Sequence, residues 1–158
     1  MADVPQLGAR GGGWVVLQFA LIAAIVVAGI VGEPWPDPAR GTLRVMGAVL
    51  AVAGGALAVV SARALGRSLT PFPRPLERAG LVESGPYRMV RHPIYASGLV
   101  FFIGFSLAFS PWALLVTAVL AVVWGLKARV EESFLRTYDD RYDAYCRRTR
   151  HRLLPYVY

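Results

Sequence analysis

The sequence predicts an all-α integral membrane protein with about four transmembrane helices, a polar segment between the second and third spans, and a C-terminal helix. Three observations carry this. Hydrophobic residues make up 56% of the 158 residues, and the mean hydropathy is +0.48, which does not suit a soluble domain of this size. Residues 14–31 and 45–62 are each uncharged over 18 residues. Residues 94–126 are uncharged for 33 residues, about 50 Å as one helix and too long for a hydrocarbon core of roughly 30 Å.

The first span, 14–31, follows Arg10. It is longer than a signal-peptide core of ~7–15 residues and lacks a clear small-residue cleavage site, so it reads as a retained helix. Glu33-Pro34-Trp35-Pro36-Asp37-Pro38 is a rigid connection with a tryptophan suited to the interfacial belt. The second span, 45–62, carries Gly47, Gly54 and Gly55, which let a neighbouring helix approach closely. Ser110-Pro111 splits the long apolar run, because proline lacks the amide proton that continues a helix. Spans three and four therefore cover about 94–109 and 111–128, joined by a tight turn. The tail, 129–158, begins as a continuation of span four and is basic. The whole chain forms a single domain.

Basic residues set the expected orientation. Fifteen of the 17 lysines and arginines fall at the N-terminus, between spans two and three, or in the tail; only Arg40 and Arg44 fall on the other side. The positive-inside rule places both termini in the cytoplasm, in a bacterial inner membrane. The net charge of +7 is then explained by topology and by attraction to anionic lipid headgroups, not by nucleic acid. Cys146 is the only cysteine, which excludes a disulfide framework and a cysteine metal cluster.

The chemistry gathers at one membrane edge. Gly85-Pro86-Tyr87-Arg88-Met89-Val90-Arg91-His92-Pro93-Ile94-Tyr95 places two guanidiniums, an imidazole and two phenols at the start of span three. Glu131-Glu132 places two carboxylates just past span four. Each piece alone has a plain structural explanation, as interfacial anchors or a solvated helix face. The tight turn makes spans three and four antiparallel neighbours, so His92 and Glu131 return to one height. Pro93 at the first helical position fixes Arg91 and His92 at the boundary. No metal-ligand set is expected, since the two histidines, His92 and His151, are far apart in sequence. No activated serine or cysteine and no glycine-rich phosphate loop is present. What fits is a cationic, ribose-bearing cofactor: carboxylates accept from hydroxyls, aromatic faces attract a sulfonium, and guanidiniums hold carboxylates.

These motifs resemble the isoprenylcysteine carboxyl methyltransferase and phospholipid methyltransferase superfamily, in particular its short bacterial members. The resemblance covers roughly residues 65–155. It rests on Leu69-Thr70-Pro71, Leu81-Val82-Glu83-Ser84-Gly85-Pro86-Tyr87-Arg88, Arg91-His92-Pro93-Ile94-Tyr95, and Glu131-Glu132 with Leu135. It implies S-adenosyl-L-methionine as cofactor, bound by a segment spanning 69–95 and by the two glutamates. By motif position the implied cofactor contacts are Ala79, Gly80, Leu81, Val82, Tyr87, Arg91, His92, Pro93, Ile94, Tyr95, Glu131 and Glu132. The implied catalytic residues are Lys127 or Arg129, holding a substrate carboxylate, and His92, which with a glutamate is a candidate base if the acceptor is an amine. Lysine at 127 departs from the arginine expected there, and Tyr138-Asp139-Asp140 replaces an aromatic-glycine turn.

The implied reaction is transfer of a methyl group to a membrane-embedded lipophilic acceptor, with a carboxylate favoured over an amine. Two alternatives stand beside it: an NADPH-dependent membrane reductase of the sterol reductase type, with the basic tail holding a phosphate, and a non-catalytic membrane binding protein. The oligomeric state is not legible.

Overall fold

The computed structural model describes residue 5 and residues 7–76 and 80–153. Ala79, one of the expected cofactor contacts, lies outside the described residues, as does the end of the tail. Five α-helices occur among the described residues: α1 (Gly12–Val31), α2 (Ala39–Leu65), α3 (Pro93–Phe109), α4 (Pro111–Tyr138) and α5 (Tyr142–Arg148). Short 3-10 turns occupy Gly66–Ser68 and Gly85–Arg88. No strand occurs among the described residues.

α1, α2 and α4 are long and apolar enough to cross a membrane. α3 is also apolar but has 17 residues, a rise of about 26 Å, slightly short of a typical hydrocarbon core. Its start matches the expected position, because Pro93 takes a first-turn position with His92 as N-cap. Ser110 ends α3 and caps α4: its Oγ accepts from the Trp112 amide at 3.3 Å and donates to the Glu33 carbonyl at 2.8 Å. One residue thus forms the whole interhelical turn and ties it to the connection after α1. Trp35, in that connection, donates its indole N–H to the Ser106 carbonyl at 3.1 Å.

The bundle is assembled by α2 on α3, α3 on α4 and α4 on α1. The α2–α3 contact is backbone to backbone. A Cβ on Gly47 would meet the Gly104 carbonyl and Ala108 amide, and one on Gly54 would meet the Phe101 amide and Ser97 carbonyl. On the other side of α3, Ile25, Leu99, Ala113, Leu120 and Trp124 form the main core cluster. Gly98 leaves room for the Trp124 ring, which a Cβ there would strike. The antiparallel α3–α4 pair brings the start of α3 beside the end of α4, where the tail folds back over both.

Candidate functional site

The site begins with a stripe on α4. Trp124, Lys127, Glu131, Leu135 and Tyr138 recur at spacings of three and four, so they share one helix face. All five line one cavity of about 400 Å³, within the size range of small-molecule sites. From Trp124 to Tyr138 the stripe rises about 21 Å along the helix. The cavity therefore runs from within the bundle to its polar end. Its other walls come from 68–72 and 80–82, from Tyr87, His92, Ile94 and Tyr95, and from Tyr142 and Tyr145 of α5.

A column of rings backs the cavity. His92 stacks on Tyr95 with centroids 5.6 Å apart, and Tyr95 on Trp124 at 5.4 Å. The Lys127 ammonium lies 5.4 Å from the Tyr95 ring centroid, a cation–π arrangement. Lys127 is only 1% exposed; it donates to Gln18 Oε1 at 2.5 Å and to the Pro71 carbonyl at 2.7 Å. Tyr95 donates its hydroxyl to Glu131 Oε2 at 2.9 Å.

The two glutamates divide the work. The Glu131 side chain is 26% exposed and faces the cavity. Glu132, at 1% exposure, points away from it and receives a cage of cations. Arg91 Nε donates to its Oε1 at 2.8 Å, and Arg152 donates to both oxygens, at 3.0 and 2.9 Å. His92 sits between the pair: Nε2 lies 3.3 Å from Glu132 Oε1, and Nδ1 lies 3.8 Å from Glu131 Oε2.

Arg91 also donates to the carbonyls of Thr149 and Arg150, at 2.9 and 2.8 Å. The amides of Arg91 and His92 donate to the carbonyls of His151 and Arg152. The tail is thereby laced onto the start of α3. α5 is tied down by Tyr145, whose hydroxyl donates to the Tyr87 carbonyl at 2.7 Å. Burial pushes the phenols of Tyr87, Tyr142 and Tyr145 well above the ordinary tyrosine value, so all three are neutral donors at physiological pH. Among the described residues, the Tyr142 hydroxyl is the one buried side-chain polar atom with no hydrogen-bond partner.

Of the residues expected at the site, Gly80, Leu81, Val82, Tyr87, Arg91, His92, Ile94, Tyr95, Lys127 and Glu131 line this cavity together. Three do not. Pro93 is buried in the first turn of α3, and Glu132 is enclosed by its cations. Arg129 lies on another face of α4, against a second cavity beside Leu99 and Leu153. The reason is angular: residues two apart on a helix stand about 200° apart, so Lys127 and Arg129 cannot share a cavity. No group of three or more His, Cys, Asp or Glu arranged for a metal occurs among the described residues.

A family model for phospholipid methyltransferase matches residues 42–141, well over half of the chain and nearly all of the cavity's walls. The chain belongs to the phospholipid methyltransferase family. Within that family context it is similar to the cobalt-zinc-cadmium resistance protein CzcN of Cupriavidus metallidurans, 32% identical over 147 residues, covering 89% of this chain and 61% of that protein. It is also similar to the Delta(14)-sterol reductase TM7SF2 of Mus musculus, 35% identical over 82 residues, covering 49% of this chain and 20% of that protein. The chain thus spans about three fifths and one fifth of the lengths of these relatives.

Three residues that line the cavity lie outside the family match: Gln18 of α1, and Tyr142 and Tyr145 of α5. The sequence does hold a signal for Gln18, the single amide side chain in the uncharged 14–31 run. Polar groups inside a membrane helix turn toward the bundle and bond across helices. The tyrosines stand out as a stripe with Tyr138, but that pattern alone does not separate packing from binding.

Proposed function

We propose that the protein is an S-adenosylmethionine-dependent methyltransferase acting on a lipophilic acceptor, with O-methylation of a carboxylate favoured over N-methylation of an amine. The observation that carries this reading is the α4 stripe. It sets a cavity-facing carboxylate, Glu131, one turn from a buried cation, Lys127, in a cavity that reaches from the polar end into the apolar bundle.

The residues fit the methyl donor at the polar end. Glu131 accepts from Tyr95 and keeps acceptor capacity for hydroxyl or ammonium groups. Gly80, Leu81 and Val82 offer backbone, Tyr87 and Ile94 form walls, and the unpartnered Tyr142 hydroxyl offers a donor. The cofactor supplies an electrophilic methyl group on a sulfonium. Arg91, Pro93 and Glu132 act as the frame that holds His92 and Tyr95 in place.

Lys127 holds the acceptor carboxylate deeper in the cavity. The bound cofactor would supply the methyl group to an oxygen of that carboxylate, which is already nucleophilic, so no residue would need to remove a proton. Alignment supplies most of the acceleration, worth ~7–11 kcal/mol in well-oriented systems. An amine would need a base, for which His92, set between Glu132 and Glu131, and the cavity-facing Glu131 are the candidates; a carboxylate needs none, and His92 then has a positioning role. The lipid portion enters sideways from the bilayer, and the basic surface rests on anionic headgroups with both termini cytoplasmic, in a bacterial inner membrane.

The test is a thermal-shift comparison in detergent with S-adenosylhomocysteine and NADPH, followed by transfer of radiolabelled methyl into membrane lipid. A shift with S-adenosylhomocysteine and base-labile label released as methanol are expected. Base-stable label would replace the carboxylate with nitrogen. A shift with NADPH alone would favour a reductase, the activity named for the mouse relative, and a shift with neither would overturn an enzymatic role.

A further inference from the structure

The second cavity uses another face of α4, and no described residue lines both cavities. It is a groove of about 390 Å³ between α3, α4 and the returning tail. Leu99 supplies one wall, Leu153 closes the polar end, and α4 forms the floor from Ala121 to Arg129, a rise of about 12 Å. Gly125 sits in mid-floor. A Cβ there would meet nothing within 4 Å, so the absent side chain leaves open space.

This face of α4 is turned outward. Leu115, Val119 and Val122 are 59%, 51% and 63% exposed, and the same stripe continues at spacings of four and three through Leu126 to Arg129. Apolar positions run along it, and it ends on an exposed guanidinium. α4 is long and apolar enough to cross a membrane, so the arginine stands where the apolar run gives out. An arginine that merely anchors a helix needs only the interface. Here a groove lined by three elements lies directly beneath it.

We propose that this groove binds one anionic phospholipid, separately from the methyl-transfer site, with an acyl chain along Gly125 and Leu126 and the phosphate on Arg129. The guanidinium fork matches phosphate oxygens two at a time. With five N–H donors it can hold a phosphate alongside a protein neighbour. The adjoining stretch of tail carries Arg147, Arg148, Arg150 and Arg152, and that charge favours an acidic headgroup over one with its own ammonium. Leu153 directly follows Arg152, which donates to both oxygens of Glu132. The bound chain therefore packs against the tail where it is fastened to the start of α3. The site requires only that α3 and α4 lie in a bilayer; it does not depend on the reaction.

The test uses the full chain in detergent, titrated with tritiated dioleoylphosphatidylglycerol and, in parallel, with tritiated dioleoylphosphatidylcholine. The wild type is expected to bind one phosphatidylglycerol at least tenfold more tightly than phosphatidylcholine. Arg129→Gln, at an exposed position, should lose about tenfold in phosphatidylglycerol affinity, the scale of a hydrogen bond to a charged group. Gly125→Leu, which fills the groove, should weaken both lipids. Arg44→Gln removes the same charge from an exposed position before the second span and should change neither. If Gly125→Leu does not fold, Arg129→Gln against Arg44→Gln decides alone. Equal affinity of the wild type for the two lipids, phosphatidylglycerol binding that ignores Arg129→Gln, or an equal loss in Arg44→Gln overturns the site.

Discussion

Arg91 and Glu132, 41 residues apart in sequence, are joined by a hydrogen bond of 2.8 Å from Nε to Oε1, with the carboxylate buried and the guanidinium largely covered. The carboxylate is shared with His92 and Arg152, so one anion holds the start of α3, the end of α4 and the returning tail. Glu131, its chain neighbour, makes none of the arginine contacts and faces the cavity.

That division predicts opposite behaviour for adjacent residues. Glu132→Ala leaves two guanidiniums in a buried site without their anion, and breaking a buried pair in this way costs about 3–5 kcal/mol. The variant should show a large fall in its unfolding midpoint in detergent and early proteolysis beyond Asp139, where the tail is no longer held. A midpoint equal to wild type would mean that Glu132 is not the anchor.

Glu131→Ala, by contrast, removes one hydrogen bond, from Tyr95, at a partly exposed position. Its unfolding midpoint should move by roughly 1 kcal/mol or less. Binding of S-adenosylhomocysteine should fall at least tenfold if the carboxylate meets ribose or ammonium groups, since bonds to charged groups are worth about 1.5–3 kcal/mol. Calorimetric titration decides it. Unchanged affinity would remove Glu131 from the cofactor site.

The meeting of His92 with the glutamate pair was legible from sequence. A proline in the middle of a 33-residue apolar run forces a hairpin, and a hairpin returns its ends to one level. Which glutamate faces the cavity was not, because consecutive helical residues stand about 100° apart and only the packing of α1 and the tail selects one. The pairing of the Arg91 and His92 amides with the carbonyls of residues 151 and 152 was invisible for a different reason. It is backbone to backbone, and it imposes no side-chain pattern. Lys127 and Arg129 could not be separated by charge alone; helix angle separates them at once.

The glycines of α2 carry a further prediction. A methyl group on Gly54 would meet the Phe101 backbone nitrogen and the Ser97 carbonyl, neither of which belongs to a flexible side chain. Gly54→Ala should therefore push α2 off α3 and destabilise by about 1–3 kcal/mol, the usual cost of overpacking. Gly41→Ala, where a Cβ meets nothing within 4 Å, should be neutral or stabilising by up to ~1 kcal/mol through helix propensity. Thermal unfolding of the two variants side by side separates packing from propensity; equal midpoints would refute the close-approach account.

Two tyrosines of α5 should respond to loss of a hydroxyl with opposite signs. Tyr142 buries an unpartnered hydroxyl, so Tyr142→Phe should stabilise the ligand-free protein by about 1–3 kcal/mol. Tyr145→Phe forfeits the bond to the Tyr87 carbonyl and should destabilise by ~1 kcal/mol. Both phenols are pushed up by burial, and the sign of the pH effect follows. A folded-state pKa above the unfolded value gives stability that is fully present below the ordinary phenol pKa of about 10. It is lost as the pH rises past that value, where unfolded phenols ionise and the folded ones cannot. The denaturation midpoint should therefore hold steady to about pH 9 and fall beyond pH 10, and the Tyr142→Phe/Tyr145→Phe double variant should fall less steeply. Parallel slopes for the two proteins would show that these hydroxyls are not what limits alkaline stability.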